Sequence, residues 1–138
     1  MNDYITNQAN QFEGKIVIVT GSTQGSGAET AKLFAARGAK AITICGRQEN
    51  KGIQIKKEIE ELGSKCLYVK ADLSKVEDCK KIVQLTDQEF GTVHSLVNVA
   101  GYTERGTVLS TTIENYDNNF NVNARAPFIL TQEVVKIM

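Results

Sequence analysis

The chain has 138 residues, of which 41% are hydrophobic and 23% are charged, and its 16 basic residues are balanced by 16 acidic ones. A composition of this kind is typical of one folded globular domain and excludes disordered and fibrous proteins. The formal net charge of zero gives no long-range field that would attract nucleic acid or an anionic membrane, so any anion site must be local.

Four short β-branched runs are predicted to be strands, and they lie at residues 15–20, 40–45, 65–70 and 93–99. The first run contains four consecutive aliphatic residues, from Ile16 to Val19. A strand that is apolar on both faces is typical of a parallel sheet that helices cover on both sides.

Helical spacing of apolar residues between these runs predicts three helices. Each helix is expected to end at a glycine, Gly38, Gly63 or Gly91, because a residue without a Cβ adopts the left-handed conformation at little cost. The alternation of strand and helix with short links predicts a doubly wound, parallel α/β sheet. A solenoid is the alternative, since these glycines are 25 and 28 residues apart, but the segments share no repeated sequence.

A fourth helix is predicted from Thr111 or Thr112 to Met138, because Thr111 and Glu114 have the spacing of a capping box. Pro127 lies inside this helix, and its nitrogen has no hydrogen to donate to the carbonyl of Asn123, four residues earlier. The helix is therefore expected to kink and to leave the Asn123 oxygen without its helical partner. The alternative is that this oxygen meets only bulk water.

The three cysteines, Cys45, Cys66 and Cys79, match neither a CxxC pair nor a metal-ligand spacing. With His94 as the single histidine, they predict reduced structural thiols and no metal site. Residues 1–14 contain no basic residue, so they do not resemble a signal or transit peptide, and no apolar run approaches membrane-spanning length. A cytoplasmic location, with neither a membrane nor a nucleic-acid partner, is therefore expected.

A glycine-rich turn, from Thr20 to Ala28, follows the first predicted strand and leads into the first helix. Glycines at 21, 25 and 27 let backbone N–H groups approach an anion, and the helix presents its positive end at the same point. Open α/β sheets also bind their ligands at the carboxyl ends of strands. The turn is therefore predicted to bind the pyrophosphate of a dinucleotide, the alternative being a purely structural turn.

Arg47 follows the second predicted strand, at the position that selects between dinucleotides. A fold that prefers NAD places Asp or Glu there, whereas an arginine can pair with the 2′-phosphate of NADP. No carboxylate occurs here before Glu49, and the guanidinium of Arg47 is planar and permanently charged. NADP(H) is therefore predicted over NAD(H), the alternative being an exposed arginine that only ends a strand.

Five motifs, taken together and in this order, resemble the short-chain dehydrogenase/reductase family: Thr20-Gly-x-x-x-Gly-x-Gly27, Cys45-Gly46-Arg47, Ala71-Asp72-Leu73-Ser74, Asn98-Val99-Ala100-Gly101 and Asn121-Val122-Asn123. The resemblance implies an NAD(P)-binding Rossmann fold over residues 14–138, after a flexible segment at residues 1–13. It also implies cofactor contacts from the turn and from the ends of the later strands: Gly21, Ser22, Thr23, Gln24, Gly25, Ser26, Gly27, Arg47, Asp72, Leu73, Asn98, Ala100 and Gly101.

By this resemblance, Asp72 and Leu73 touch the adenine, and the Asn98–Gly101 segment lines the floor beneath the ribose and the nicotinamide. Asn123 is implied as a catalytic residue, whose main-chain oxygen holds a water in a proton relay. Val99 departs from the family, which more often has a second Asn there, and this is expected to loosen the support under the cofactor. His94 stands where an Asp is frequent.

The family transfers hydride between nicotinamide and a carbonyl or alcohol, using a Ser and a Tyr-x-x-x-Lys motif. None of the four tyrosines here is followed by a lysine four residues later, so Asn123 is the one family catalytic residue present. The chain is expected to be truncated before the catalytic half of an NADP-dependent oxidoreductase, inactive alone and homo-oligomeric at full length. The alternative is a complete, non-catalytic NADP-binding sensor or interaction module.

Overall fold

Four parallel strands form one sheet in the computed structural model, which describes residues 10–138. The strands are β1 (Ile16–Val19), β2 (Ala41–Gly46), β3 (Lys65–Lys70) and β4 (Ser95–Val97), and they lie in the order β3-β2-β1-β4. β1 pairs in parallel with both β2 and β4, and β2 pairs in parallel with β3. The prediction of a parallel α/β sheet is confirmed, and the solenoid alternative is wrong.

Within the described part of the chain, five α-helices accompany the sheet: α1 (Gly25–Ala36), α2 (Glu49–Glu61), α3 (Val76–Phe90), α4 (Ile113–Phe120) and α5 (Ala126–Ile137). Gly38, Gly63 and Gly91 follow the first three helices with φ of 89°, 103° and 85°, so the predicted glycine stops are confirmed.

The fourth predicted helix is divided by a π-helical turn at Asn121–Arg125, which joins α4 to α5. Within this turn the Ala126 N–H bonds to the Asn121 carbonyl, five residues back. Pro127 lies in the first turn of α5, where a missing N–H costs little. The kink expected from this proline therefore takes the form of a widened turn.

Thr112, and not Thr111, caps α4: its Oγ1 accepts a hydrogen bond from the Asn115 N–H at 3.1 Å. The Thr111 hydroxyl instead donates to the Thr107 carbonyl at 2.7 Å. The capping spacing between Thr111 and Glu114 is therefore not used, and the helix starts one residue later than that motif implies.

Each face of the sheet buries a separate apolar layer, which explains why β1 is aliphatic at every position. Ile18 packs with α3 and α5, whereas Val17 and Val19 pack with α1 and α2. The three thiols are free and buried in these layers, and burial raises the pKa of Cys45 and of Cys66 to about 12. Over residues 10–138, the helices lack the combination of length and apolarity that a bilayer crossing requires.

The beginning of the described chain packs against the end of α1. The Phe12 ring lies 4.5 Å from the Phe34 ring, measured between centroids, and Glu13 forms an antiparallel bridge with Ala39. Residues 12–13 of the segment predicted to be flexible therefore belong to the packed structure. Residues 1–9 of that segment lie outside the described residues.

His94 extends the pairing of β1 with β4. Its N–H donates to the Ile16 carbonyl at 2.8 Å, and its Nδ1 accepts a hydrogen bond from the Ile16 N–H at 3.0 Å. Ile16 is buried, so its amide depends on this side-chain acceptor. A carboxylate would offer the same acceptor, which gives a physical account of the Asp that the family often places here.

We therefore expect His94→Ala to lower the free energy of unfolding by about 1–2 kcal/mol, because it leaves a buried N–H without a partner. His94→Asp keeps an acceptor at this position and should retain most of the stability. Urea denaturation of the two variants beside the parent chain measures the difference. Equal stability of the Ala and Asp variants would show that the hydrogen bond contributes nothing.

Candidate functional site

A cleft of about 430 Å³ lies at the carboxyl ends of the strands, between the turn after β1 and the segments that follow β2, β3 and β4. This is the edge of an open α/β sheet where ligands bind. The cleft brings together most of the residues predicted to contact a cofactor: Gly21, Thr23, Gln24, Gly25, Ser26, Gly27, Arg47, Asp72, Leu73, Ala100 and Gly101. Ser22 and Asn98 lie outside it.

The glycine turn has a shape that side chains would destroy. Gly21 and Gly25 adopt φ of 58° and 57°, which residues with a Cβ rarely do. A Cβ on Gly21 would lie 2.7 Å from the Cα of Ala100, and a Cβ on Gly27 would collide with the Gly21 carbonyl. The turn therefore presents bare backbone to the cleft.

The first helix opens onto this bare backbone. α1 begins at Gly25, its N-cap residue Gln24 makes no side-chain capping bond, and its first turn contains no acidic residue. The N–H groups of a first turn have no acceptor within the helix and attract an anion. The turn from Gly21 to Gly27 and the start of α1, together the pyrophosphate cradle, therefore fit the pyrophosphate of a dinucleotide in shape, in hydrogen-bond donors and in charge.

Ser22 holds the turn from behind. Its hydroxyl donates to the Val19 carbonyl at 2.5 Å and accepts from the Cys45 N–H at 3.0 Å, while its own N–H donates to the Cys45 carbonyl at 3.2 Å. The residue is fully buried. Ser22 therefore ties the turn to β2, and neither its amide nor its hydroxyl is left for a ligand.

Arg47 lines the cleft, is exposed, and makes no hydrogen bond or ion pair with residues 10–138. The backbone just before it is fixed, because the Tyr68 hydroxyl donates to the Gly46 carbonyl at 2.8 Å. The Tyr68 ring occupies the space that a Cβ on Gly52 would need. β3 and α2 thus hold the Arg47 backbone while its guanidinium stays available.

Asp72 follows β3 and forms a tight turn with Ser74. Its Oδ1 accepts from the Ser74 N–H at 2.9 Å and from the Ser74 hydroxyl at 2.7 Å. Burial raises the pKa of this carboxyl, but the Ser74 bonds and the charges of Arg47 and Lys75 outweigh it, so the pKa lies below its ordinary value. Asp72 is therefore an ionised acceptor on the wall of the cleft.

Two further side chains hold this wall in place, and the sequence motifs gave no sign of either. The Asp72 N–H donates to Asp78 Oδ2 at 2.7 Å, and Arg125 Nη2 donates to the Ser74 carbonyl at 2.6 Å. Arg125 belongs to the π-helical turn, so the segment between α4 and α5 contacts the segment after β3. These contacts link elements that are far apart in the chain.

Thr20 supports the floor of the cleft. Its buried Oγ1 accepts hydrogen bonds from the N–H groups of Val99 and Ala100, both at 3.1 Å. The Val99 side chain packs with the α1–α2 layer, so this amide support does not depend on the asparagine that the family more often has. Asn98 is exposed and outside the cleft, whereas Ala100 and Gly101 line it.

Asn123 clamps the end of this floor through its side chain. Its Oδ1 accepts from the Tyr102 N–H at 2.8 Å, and its Nδ2 donates to the Tyr102 carbonyl at 2.7 Å. Tyr102 lines the cleft, and its phenol donates to Glu104 Oε2 at 2.7 Å, which raises its pKa. The sequence pointed to the main-chain oxygen of Asn123, and the structure adds this side-chain role. The relay water stays a prediction.

Known proteins are similar to this chain in sequence and in fold. An uncharacterized oxidoreductase of Thermotoga maritima is 35% identical over 127 residues, which are 92% of this chain and 49% of that protein. A short-chain dehydrogenase from Burkholderia cenocepacia, solved in complex with NADP, aligns with a TM-score of 0.90 and 30% identity, over 94% of this chain and 53% of that one. A blue fluorescent protein from a metagenomic library, solved in complex with NADPH, aligns with a TM-score of 0.88 and 29% identity. That alignment covers 92% of this chain and 52% of the fluorescent protein.

The chain spans about half the length of the curated relatives that it matches, as the 49% for the Thermotoga protein shows. A family model described as short chain dehydrogenase matches residues 15–138, which include all four strands, the glycine turn and the clamp at Asn123. Because this match extends over nearly the whole chain, the protein belongs to the short-chain dehydrogenase family.

Proposed function

We propose that this chain is the cofactor-binding half of an NADP(H)-dependent oxidoreductase, which transfers hydride between nicotinamide and a carbonyl or alcohol. One observation supports it above the others: the turn from Gly21 to Gly27 presents bare backbone and the start of α1 to a cleft that Arg47 also lines. The two solved relatives described above contain NADP and NADPH, which supports the same cofactor here.

Each part of the cleft has a role in this proposal. The amides at the start of α1 would hold the pyrophosphate, Arg47 the 2′-phosphate, and Asp72 with Leu73 the adenine end, while Ala100 and Gly101 would form the floor. The nicotinamide, when bound, supplies the group that gives or accepts hydride. The residues of this chain bind and orient it.

Asn123 connects the cofactor floor to the helical region in this proposal. Its side chain fixes the backbone of Tyr102, and its main chain lies in the π-helical turn just before Pro127. Pro127 cannot donate a hydrogen bond to it, so the Asn123 carbonyl is suited to accept one from a relay water. Asn123 would then position both the loop and a proton path.

The catalytic acid and base of this proposal lie in the part of the family fold that this chain does not span. The chain lacks a Tyr-x-x-x-Lys motif and covers 49% of the Thermotoga relative. The comparisons give no support to the alternative of a non-catalytic module, because the relatives are named as oxidoreductases and dehydrogenases. The homo-oligomeric state of the full-length protein stays a prediction.

We expect the isolated 138-residue chain to bind NADPH but not to oxidise it in the presence of a panel of aldehydes and ketones. Binding needs only the cleft, whereas proton transfer needs the absent tyrosine and lysine. Fluorescence titration measures the first property and loss of absorbance of the reduced nicotinamide the second. Turnover above the rate of a heat-denatured sample would contradict the assignment of this chain as a binding half.

Ser26→Asp tests the pyrophosphate cradle. A carboxylate in the first turn of α1 favours the helix by about 0.3–1 kcal/mol but repels a bound pyrophosphate. Ser26 is exposed, so folding should survive, and NADPH and NADH should both bind roughly ten- to a hundredfold more weakly. Urea denaturation and calorimetric titration separate the two effects. Unchanged affinity for both coenzymes would place the pyrophosphate elsewhere.

Arg47→Glu tests the choice of coenzyme. A charge-assisted hydrogen bond contributes about 1.5–3 kcal/mol, so NADPH should bind roughly ten- to a few hundredfold more weakly while NADH binding is retained. Lys57→Glu is the matched control, because it makes the same charge change at an exposed position of α2 that does not line the cleft. Equal losses for both coenzymes in Arg47→Glu would show that this arginine does not recognise the 2′-phosphate.

A further inference from the structure

Lys51 and Gln24 form a side-chain pair between the two helices that begin at the cleft. Lys51 lies in the first turn of α2, and its Nζ donates to Oε1 of Gln24 at 2.6 Å. Gln24 is the N-cap residue of α1 and lines the cleft between Thr23 and Gly25. Lys51 is not itself among the residues that line the cleft, and the hydrogen bond holds its ammonium beside Gln24, which does line it.

Among residues 10–138 no carboxylate forms an ion pair with Lys51, although Glu49 lies in the same first turn of α2. Four other lysines make ion pairs with carboxylates, whereas Lys51 makes none with residues 10–138 and bonds only to a neutral amide. A cation in the first turn of a helix also lies at the positive end of the helix dipole. An anion at this place would offset both charges.

The charged residues that line the cleft supply too little positive charge to balance a phosphate monoester. Arg47 and Asp72 are the two charged residues that line the cleft within the described chain, and their formal charges cancel. A phosphate monoester carries about −1.5 to −2 charges near neutral pH. Arg47 alone would therefore leave about 0.5 to 1 negative charge without compensation. Lys51 is the cation that Gln24 holds beside the cleft.

We propose that Lys51, held by Gln24, is a second cationic group for the 2′-phosphate of NADP(H) and determines coenzyme choice together with Arg47. This proposal rests on the proposed function of the cleft. Gln24 is a positioning residue: its Oε1 accepts from Lys51, and its Nε2 keeps two N–H groups that can donate to the same phosphate. Arg47 offers a planar fork and Lys51 a point charge, so the two contributions differ in geometry.

The test is the affinity of three variants, Lys51→Met, Lys51→Arg and Gln24→Ala, for NADPH and NADH, with 2′,5′-ADP as a probe that carries the phosphate without nicotinamide. Lys51→Met keeps an unbranched side chain without the charge, and it should weaken NADPH and 2′,5′-ADP binding roughly tenfold while NADH changes less than about twofold. Lys51→Arg should retain NADPH binding. Gln24→Ala should lower the NADPH-to-NADH preference by about threefold, since it releases Lys51.

Salt gives a readout that a purely structural role would not change. Raising ionic strength screens the attraction of exposed charges, so the NADPH-to-NADH preference of the parent chain should fall with salt, and that of Lys51→Met should fall less. Lys57→Met is the matched control, because it removes an exposed lysine of the same helix that, within residues 10–138, has no hydrogen bond to a residue lining the cleft. Circular dichroism of each variant reports folding.

The outcomes separate the two proposals. If the parent chain prefers NADPH and Arg47→Glu abolishes this preference while Lys51→Met retains it, the assignment of Lys51 is overturned and the proposed function stands. Equal weakening of NADPH and NADH by Lys51→Met also overturns the assignment. If the folded parent chain binds neither coenzyme nor 2′,5′-ADP, the proposed function and the role of Lys51 fail together.

Discussion

The first helix can begin against the glycine turn only because Gly27 has no Cβ to meet the carbonyl oxygen of Gly21. Gly21 in turn lies so close to Ala100 that its own Cβ would overlap the backbone of the loop after β4. α1, the turn and this loop therefore pack backbone against backbone. The depth of the cleft and the direction of the α1 amides both depend on this contact, and no side-chain rotamer can replace it.

The side chains that shape the cleft mostly face away from it. Thr20 and Ser22 are buried and bond to backbone groups of the neighbouring strand ends, and Tyr68 does the same for Gly46. Asn123 repeats the arrangement from the π-helical turn, with both atoms of its amide on Tyr102. Buried polar groups that satisfy backbone partners fix the chain at strand ends, where ladder hydrogen bonds stop. The space above is left to main-chain donors and a few charged residues.

Local patterns in the sequence were sufficient for the strands, the helix stops and the turn, because periodicity and glycine conformation act over a few neighbouring residues. They were not sufficient for the site residues, because the orientation of a side chain and contacts between distant segments determine which residues line the cleft. Ser22 shares the turn with Gly21, but its side chain bonds to backbone groups inside the protein. Asn98, next to Val99, is exposed and does not line the cleft. The hydrogen bond from Lys51 to Gln24 joins residues 27 positions apart, and the spacing of residues within either helix does not predict it.

The π-helical turn at Asn121–Arg125 sets the rotation of α5 about the helix axis relative to α4. Such a turn contains one more residue than an α-helical path, and each residue of an α-helix advances the chain by about 100°. Loss of a single residue here would rotate everything after it and carry Leu130, which is fully buried, away from the sheet. The amide of Asn123 would leave Tyr102 in the same movement. The number of residues in this segment is therefore constrained, in addition to the identities of Asn123 and Arg125 within it.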